Sequence, residues 1–270
     1  MKATHYHSRN GNALKLYDGP SLIDGKRIIV IMTGLDDSSK NTKTGDMLQT
    51  FIMRHDVKPN EATKTGEDSS VCGACPLRPS AWDRSVSDRP CYVKVFHAPR
   101  STWVANRDLP VAPVDVVTRA IAGRKVRRGS YGDPAAVPAH VWHALPKTRK
   151  DTGYTHQWRL PMASDFARLT MASVHSLEER AQAKAKGFRT FRIIGDVRDV
   201  AKGEILCPAS KEAGERTTCA KCGLCDGSRV VVSPSDYIAG NFDPTKEITI
   251  DWDNADGRPD KRKDIAIVAH

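Results

Sequence analysis

Residues 176–195 read SLEERAQAKAKGFRTFRIIG, and the stretch changes from helical to extended character halfway along. Ser176 is a helix-capping residue, Glu179 stands three positions later as a capping box requires, and Gly187 is suited to stop the helix. RTFRIIG (189–195) then reads as a strand, and LTMASV (169–174) reads as another just before the helix. A strand, a helix and a strand in such quick succession predict a parallel βαβ unit with a right-handed crossover.

The same cadence extends in both directions. Val126–Tyr131 reads as a strand, PAHVWHAL (138–145) as a short helix with proline at its start, and GYTHQW (153–158) as a strand. KDIAIVAH (263–270) supplies a final strand. Upstream, Lys26–Met32 is a strand candidate whose continuous apolar run Ile28–Met32 is of the kind buried on both faces, and Met47–Met53 offers a further strand. The expected class is α/β, a complete or partial (β/α) barrel of parallel strands with cysteine-rich metal-binding loops and its reactive groups at the C-terminal strand ends. A doubly wound open sheet is the alternative. Residues 1–26 read as an irregular lead-in. Residues 27–270 read as one barrel-like domain, with a Cys-rich insert at 56–97 and a Cys-rich loop at 205–229.

A chain of 270 residues with 39% hydrophobic content can bury a full core. No apolar run approaches the roughly 20 residues that span a bilayer, and the polar N-terminus carries no secretory signal, so a cytoplasmic location without a membrane partner is expected. The net charge of +10 and the pI of about 9.3 call for an acidic partner, with nucleic acid, DNA or RNA, the commonest. A host protein is a further partner of the same kind. Local basic runs at Arg124–Arg128 and Lys261–Lys263 fit solvated faces.

Seven cysteines fall into two groups. Cys207, Cys219, Cys222 and Cys225 form a C-x11-C-x2-C-x2-C run that holds a full tetrathiolate by itself. Such a run suits tetrahedral zinc and also an iron–sulfur cluster, the closely chained spacing leaning toward the cluster. Cys72, Cys75 and Cys91 make only three. The fourth ligand is then His97, six residues beyond Cys91, or the position is open for chemistry. Both a structural Cys3His zinc and a catalytic metal fit this pattern.

Other residues carry chemistry by type and place. Gly132-Asp133-Pro134 follows a strand, where Asp133 is either a functional carboxylate or a simple turn former. Tyr154, His156 and Trp158 alternate and share a face, with His156 an acid–base or ligand residue if that face lines a cavity and a core residue otherwise. The polar loop Asn41–Gly45 offers Lys43 to a phosphate. His55, His140, His143 and His175 are scattered without a pair at zinc spacing.

The combination of CGACP (72–76), Cys91-Tyr92, GSYGDP (129–134), GYTHQW, CPAS (207–210) and TCAKCGLC (218–225) resembles a family of cysteine-rich proteins encoded by bacteriophages and other mobile elements, over most of residues 40–270. A looser similarity is to radical S-adenosylmethionine enzymes. That resemblance implies a barrel, a cluster on Cys72, Cys75 and Cys91, S-adenosylmethionine held near Gly132 and Asp133, and an auxiliary cluster on the other four cysteines. The chain departs from that family's compact C-x3-C-x2-C. Guanine transglycosylases are also similar in pairing a barrel with a cysteine metal site, which implies base exchange in DNA or RNA with Asp133 or Asp165 as nucleophile. A non-catalytic zinc-stabilised protein that binds nucleic acid or a host protein is the third expectation.

Overall fold

The apolar run near residue 30 lies deep in a nine-stranded sheet. The structure is a computed structural model that describes residues 3–37, 41–78, 91–146, 151–228, 230–232, 248–250 and 262–269. In chain order its strands are β1 (Ala13–Pro20), β2 (Arg27–Thr33), β3 (Leu48–Arg54), β4 (Val126–Tyr131), β5 (Thr152–Thr155), β6 (Met171–Val174), β7 (Thr190–Ile194), β8 (Glu204–Leu206), β9 (Val230–Val232), β10 (Ile248–Ile250) and β11 (Asp264–Val268). Its α-helices are α1 (Pro59–Thr65), α2 (Ser69–Cys72), α3 (Ala98–Asn106), α4 (Val114–Ile121), α5 (Ala139–His143), α6 (Leu177–Ala185) and α7 (Cys219–Cys222).

The sheet runs β1-β2-β3-β4-β5-β6-β7-β11-β8, with β9 and β10 paired parallel apart from it. The first three strands are antiparallel to one another, and every neighbour from β3 to β8 is parallel. The mixed α/β class and the parallel βαβ units are therefore as the sequence implied. Among the described residues the edge strands β1 and β8 do not pair, so the sheet is open and no closed barrel forms. A doubly wound sheet reverses its strand order, whereas β3 to β7 follow chain order without reversal.

Ile28, Ile29, Val30, Ile31 and Met32 of β2 have no exposure on either face, which at about 1.5–3 kcal/mol per buried side chain makes β2 a principal anchor of the core. Helix α3 covers this antiparallel part, and the Trp103 indole donates to the Arg54 carbonyl at 2.8 Å. Trp142 and Trp158 are likewise buried with their indole N–H bonded, to Pro134 O and Ser173 O. Helix α6 packs on β6 and β7. Ser176 caps it by accepting from the Glu179 N–H at 3.0 Å, and Gly187 follows it at φ +83°. Among the described residues no helix is long and apolar enough to cross a membrane.

Four features differ from the sequence reading. The lead-in holds β1, whose inward Leu14 and Leu16 alternate with Lys15; that lysine is buried because it pairs with Asp18 at 2.8 Å. The 56–97 insert contains α1 and α2, and its residues 79–90 lie outside the described segments. Strand β5 stops at Thr155, so Trp158 packs in the core instead of continuing the face of Tyr154. Arg127 and Arg128, read as part of a solvated run, are 8% and 2% exposed.

Arg128 is buried because Asp151 meets it at 2.8 Å, and the same carboxylate accepts from the Val126 N–H, which joins β4 to the approach of β5. Removing one partner strands the other charge in the interior. Asp151→Asn is expected to cost about 3–5 kcal/mol, read as a lower urea midpoint with an unchanged m-value.

Candidate functional site

A cavity of about 1000 Å³ lies against one face of the parallel strands. Arg127, Gly129 and Tyr131 occupy alternate positions of β4 and all line it, so that face of β4 is turned inward. Tyr154 of β5, Ser173 of β6 and Phe191 of β7 continue the same wall.

At the C-terminal ends of these strands the chain brings three cysteines to the cavity, Cys72 at the end of α2, Cys75 on the turn after it, and Cys91. Gln157, just beyond β5, fixes the turn. Its Nε2 donates to the Cys72 carbonyl at 3.0 Å, and its Oε1 accepts from the Ala74 N–H at 3.2 Å. Gly73 lies beneath that amide at φ +54°, where any Cβ would overlap the Gln157 side chain.

Asp133 ties this turn to two strand ends. Its N–H donates to the Val71 carbonyl at 2.6 Å, its Oδ1 accepts from the Ala135 N–H at 2.9 Å, and its Oδ2 accepts from the His156 N–H at 2.8 Å. Burial pushes the carboxyl up to about 6 against the opposing pull of Ala135, Thr155, His156 and Gln157. Gly132 permits the arrangement, since at φ +80° a Cβ there would come within 2.6 Å of the Ile52 carbonyl. Asp133 is thus a turn former and a brace at once.

His156 lines the cavity, and its Nε2 lies 3.2 Å from the Nε2 of His175, which follows β6. The His175 N–H donates to Glu179, which also pairs with Arg159 at 2.7 Å. Burial, and next the neighbouring His175, press the His156 imidazolium down to about 3, so the ring is neutral at ordinary pH. The cavity therefore has an uncharged imidazole able to accept or pass a proton.

Cys207, Cys219 and Cys225 pack in a separate cluster with Met47, Met171 and Ile265, against Tyr154 and Phe191 of the cavity wall. The loop Asn41–Gly45 docks on it, the Cys219 N–H donating to the Lys43 carbonyl at 2.8 Å and the Ala220 N–H to Thr44 at 3.2 Å. Lys43 touches the cavity and also a smaller basic pocket shared with Arg216 and Lys221.

All seven cysteines are present as thiols. Among the described residues no three His, Cys, Asp or Glu side chains are already drawn together as a metal shell. Thiols are the donor type that zinc and iron–sulfur clusters take. Burial pushes the Cys72 thiol well up and the Cys75 and Cys225 thiols to about 12, so these sites stay protonated until a cation displaces the protons. Cys207, Cys219 and Cys222 each lie close enough to act on the Cys225 thiol. Cations surround their loop, with Lys125 donating to the Ala220 carbonyl at 2.5 Å and Arg189 to the Leu224 carbonyl at 2.6 Å. A dianionic tetrathiolate suits that setting. At the three-cysteine site the Tyr131 hydroxyl is buried without a hydrogen-bond partner and feels Cys72 and Cys91, leaving a donor for a group held by those thiols.

The structure thus gathers Cys72, Cys75, Cys91, Gly132, Asp133, His156 and Lys43 around one cavity. It does not bring His97 or Asp165 there. His97 is exposed at the start of α3, and Asp165 is exposed on the turn Pro161–Phe166. Sequence reasoning missed Arg127, Tyr131, Gln157 and His175. The one available signal was that His175 follows the last residue of the strand pattern LTMASV. No protein-family model, curated protein or solved structure matches the chain.

Asp133→Asn turns one acceptor of the brace into a donor facing the donors already there. It is expected to lower stability by about 1–3 kcal/mol, measured by denaturant titration. His156 gives a pH signature. Its folded-state value lies below the unfolded 6.5, so the unfolded chain binds the extra proton and stability falls with acidification through the window between the two. Between pH 6.5 and 5 that loss is up to about 2 kcal/mol, and His156→Gln should lack it when melting temperatures are compared.

Proposed function

We propose that this chain is a metal-dependent enzyme of bacteriophage or mobile-element origin that modifies a nucleotide or nucleic acid in the host cytoplasm. The observation that carries the reading is the meeting of Cys72, Cys75 and Cys91 with the Gly132-Asp133 turn and His156 at one cavity, on the C-terminal ends of adjacent parallel strands. Cavities at that end of parallel strands are where α/β enzymes hold their ligands. The uninterrupted order β3 to β7 supports a partial (β/α) barrel, since right-handed crossovers taken in one direction place the connecting segments on one face.

In the leading version the chemistry resembles that of radical S-adenosylmethionine enzymes. Cys72, Cys75 and Cys91 would hold an iron–sulfur cluster, which when bound supplies an open iron position and an electron for reductive cleavage of S-adenosylmethionine. The backbone at Gly132, fixed by Asp133, forms the adjoining wall for the cofactor. Neutral His156 accepts or returns a proton within the cavity, and the apolar wall around Phe191 excludes water. Cys207, Cys219, Cys222 and Cys225 would hold a second cluster or zinc in a closed site. Base exchange by an aspartate nucleophile draws less support, because the Asp133 oxygens are already engaged and Asp165 stands away from the cavity.

Anaerobic purification followed by iron, sulfide and zinc analysis and a visible spectrum tests the reading. A brown protein is expected, with clusters that cleave S-adenosylmethionine on reduction. Cys75→Ala should abolish that cleavage while the four-cysteine group keeps its metal. A colourless protein containing only zinc would remove the radical version.

A further inference from the structure

Arg127 is a charge without a counter-charge among the described residues. The guanidinium is 8% exposed, projects from β4 into the cavity, and has no carboxylate partner among the described residues. Its one side-chain hydrogen bond there is to the Tyr92 hydroxyl at 2.7 Å. Tyr92 itself is 66% exposed, so this contact is made by a residue at the cavity's rim. An arginine buried opposite only phenols and thiols is poorly compensated, and the two nearby carboxylates of the cavity are committed elsewhere. Asp68 pairs with Arg78 at 2.7 Å, and Asp133 is taken by backbone donors.

Beside the guanidinium is a pair of aromatic rings. The Tyr154 ring lies 5.9 Å from it, and Phe191 packs on Tyr154 with centroids 4.4 Å apart. Lys43 enters the same cavity as a second cation. An unpaired guanidinium, a lysine and a pair of aromatic rings are the elements that recognise a phosphate joined to a flat ring system.

We propose that Arg127 and Lys43 form a phosphate subsite, and that Tyr154 and Phe191 carry the base, so that the cavity takes a single nucleotide unit with its phosphate toward β4. This rests on the nucleotide reading above and narrows it. The space suits one nucleotide and excludes a duplex, so a base within a polynucleotide must leave its stack to enter. Binding exchanges the Tyr92 hydroxyl for a phosphate oxygen on the guanidinium, which frees Tyr92 at the rim.

The test is calorimetric titration of metal-loaded protein with adenosine 5′-monophosphate, adenosine and inorganic phosphate, with metal content measured on each sample. The monophosphate is expected to bind at least about tenfold tighter than adenosine, as a charge-assisted bond to phosphate implies. Arg127→Gln should erase that preference while leaving adenosine affinity and metal content unchanged. Lys43→Gln, at an exposed side chain that folding does not need, should reduce it by about threefold. Phe191→Leu should weaken both ligands. Equal affinity of the unaltered protein for monophosphate and adenosine overturns the proposal, as does an Arg127→Gln protein that keeps the preference. Loss of metal from Arg127→Gln in a chain with no phosphate preference assigns the guanidinium to the thiolates instead. A fully metallated protein that binds neither ligand sinks the subsite and leaves the metal reading standing. A metal-free protein that retains the phosphate preference does the reverse.

Discussion

The carboxylate of Asp133 is the point at which three pieces of chain distant in sequence are made to agree. Through its backbone it grips the segment that carries Cys72, through one oxygen it shapes the turn after β4, and through the other it orients His156 at the end of β5. Its burial is costly to the charged form, and the surrounding N–H groups offset that cost only when all are in place. Such an arrangement gives position rather than stability. The cavity's upper rim is therefore set by hydrogen-bond satisfaction, while the sheet beneath it is set by apolar packing.

Between the two cysteine groups the sheet face provides a graded environment. At one end stand thiols, a buried phenol without a partner and neutral imidazoles; at the other stand a guanidinium and a second set of thiols. Tyr154 packs against the cluster that holds Cys225 while it also lines the cavity, so a single side chain touches both.

Much of the framework was legible because the physics that forms it is local. The cap at Ser176, the stop at Gly187 and the apolar runs of β2, β3 and β7 act over a few residues, and each element stands within a residue or two of its expected place. Strand β1 escaped because a buried Lys15 is paired with Asp18 and breaks the apolar pattern. The grouping of cysteines into three and four was legible from spacing, and in the structure Cys72, Cys75 and Cys91 line the cavity while Cys207, Cys219 and Cys225 pack in a separate cluster. The roles of Gln157, His175 and Arg127 were not, because each depends on a neighbour 19 to 85 residues away or on the face a β-strand happens to turn inward. Arg127 and Arg128 look alike in the sequence, and only the pleat sends one toward Asp151 and the other into open space.

The insertion of β11 between β7 and β8 has a consequence for how the protein is made. Among the described residues strand β8 has no sheet partner except β11, which arrives more than fifty residues later in the chain, and the Cys207 N–H is bonded to Ala266 of that late strand. As the polypeptide leaves the ribosome, the strands β1 to β7 can take shape while β8 still waits for its neighbour. Assembly is then ordered in time, with the Cys207 N–H satisfied only when the closing strand has threaded into place.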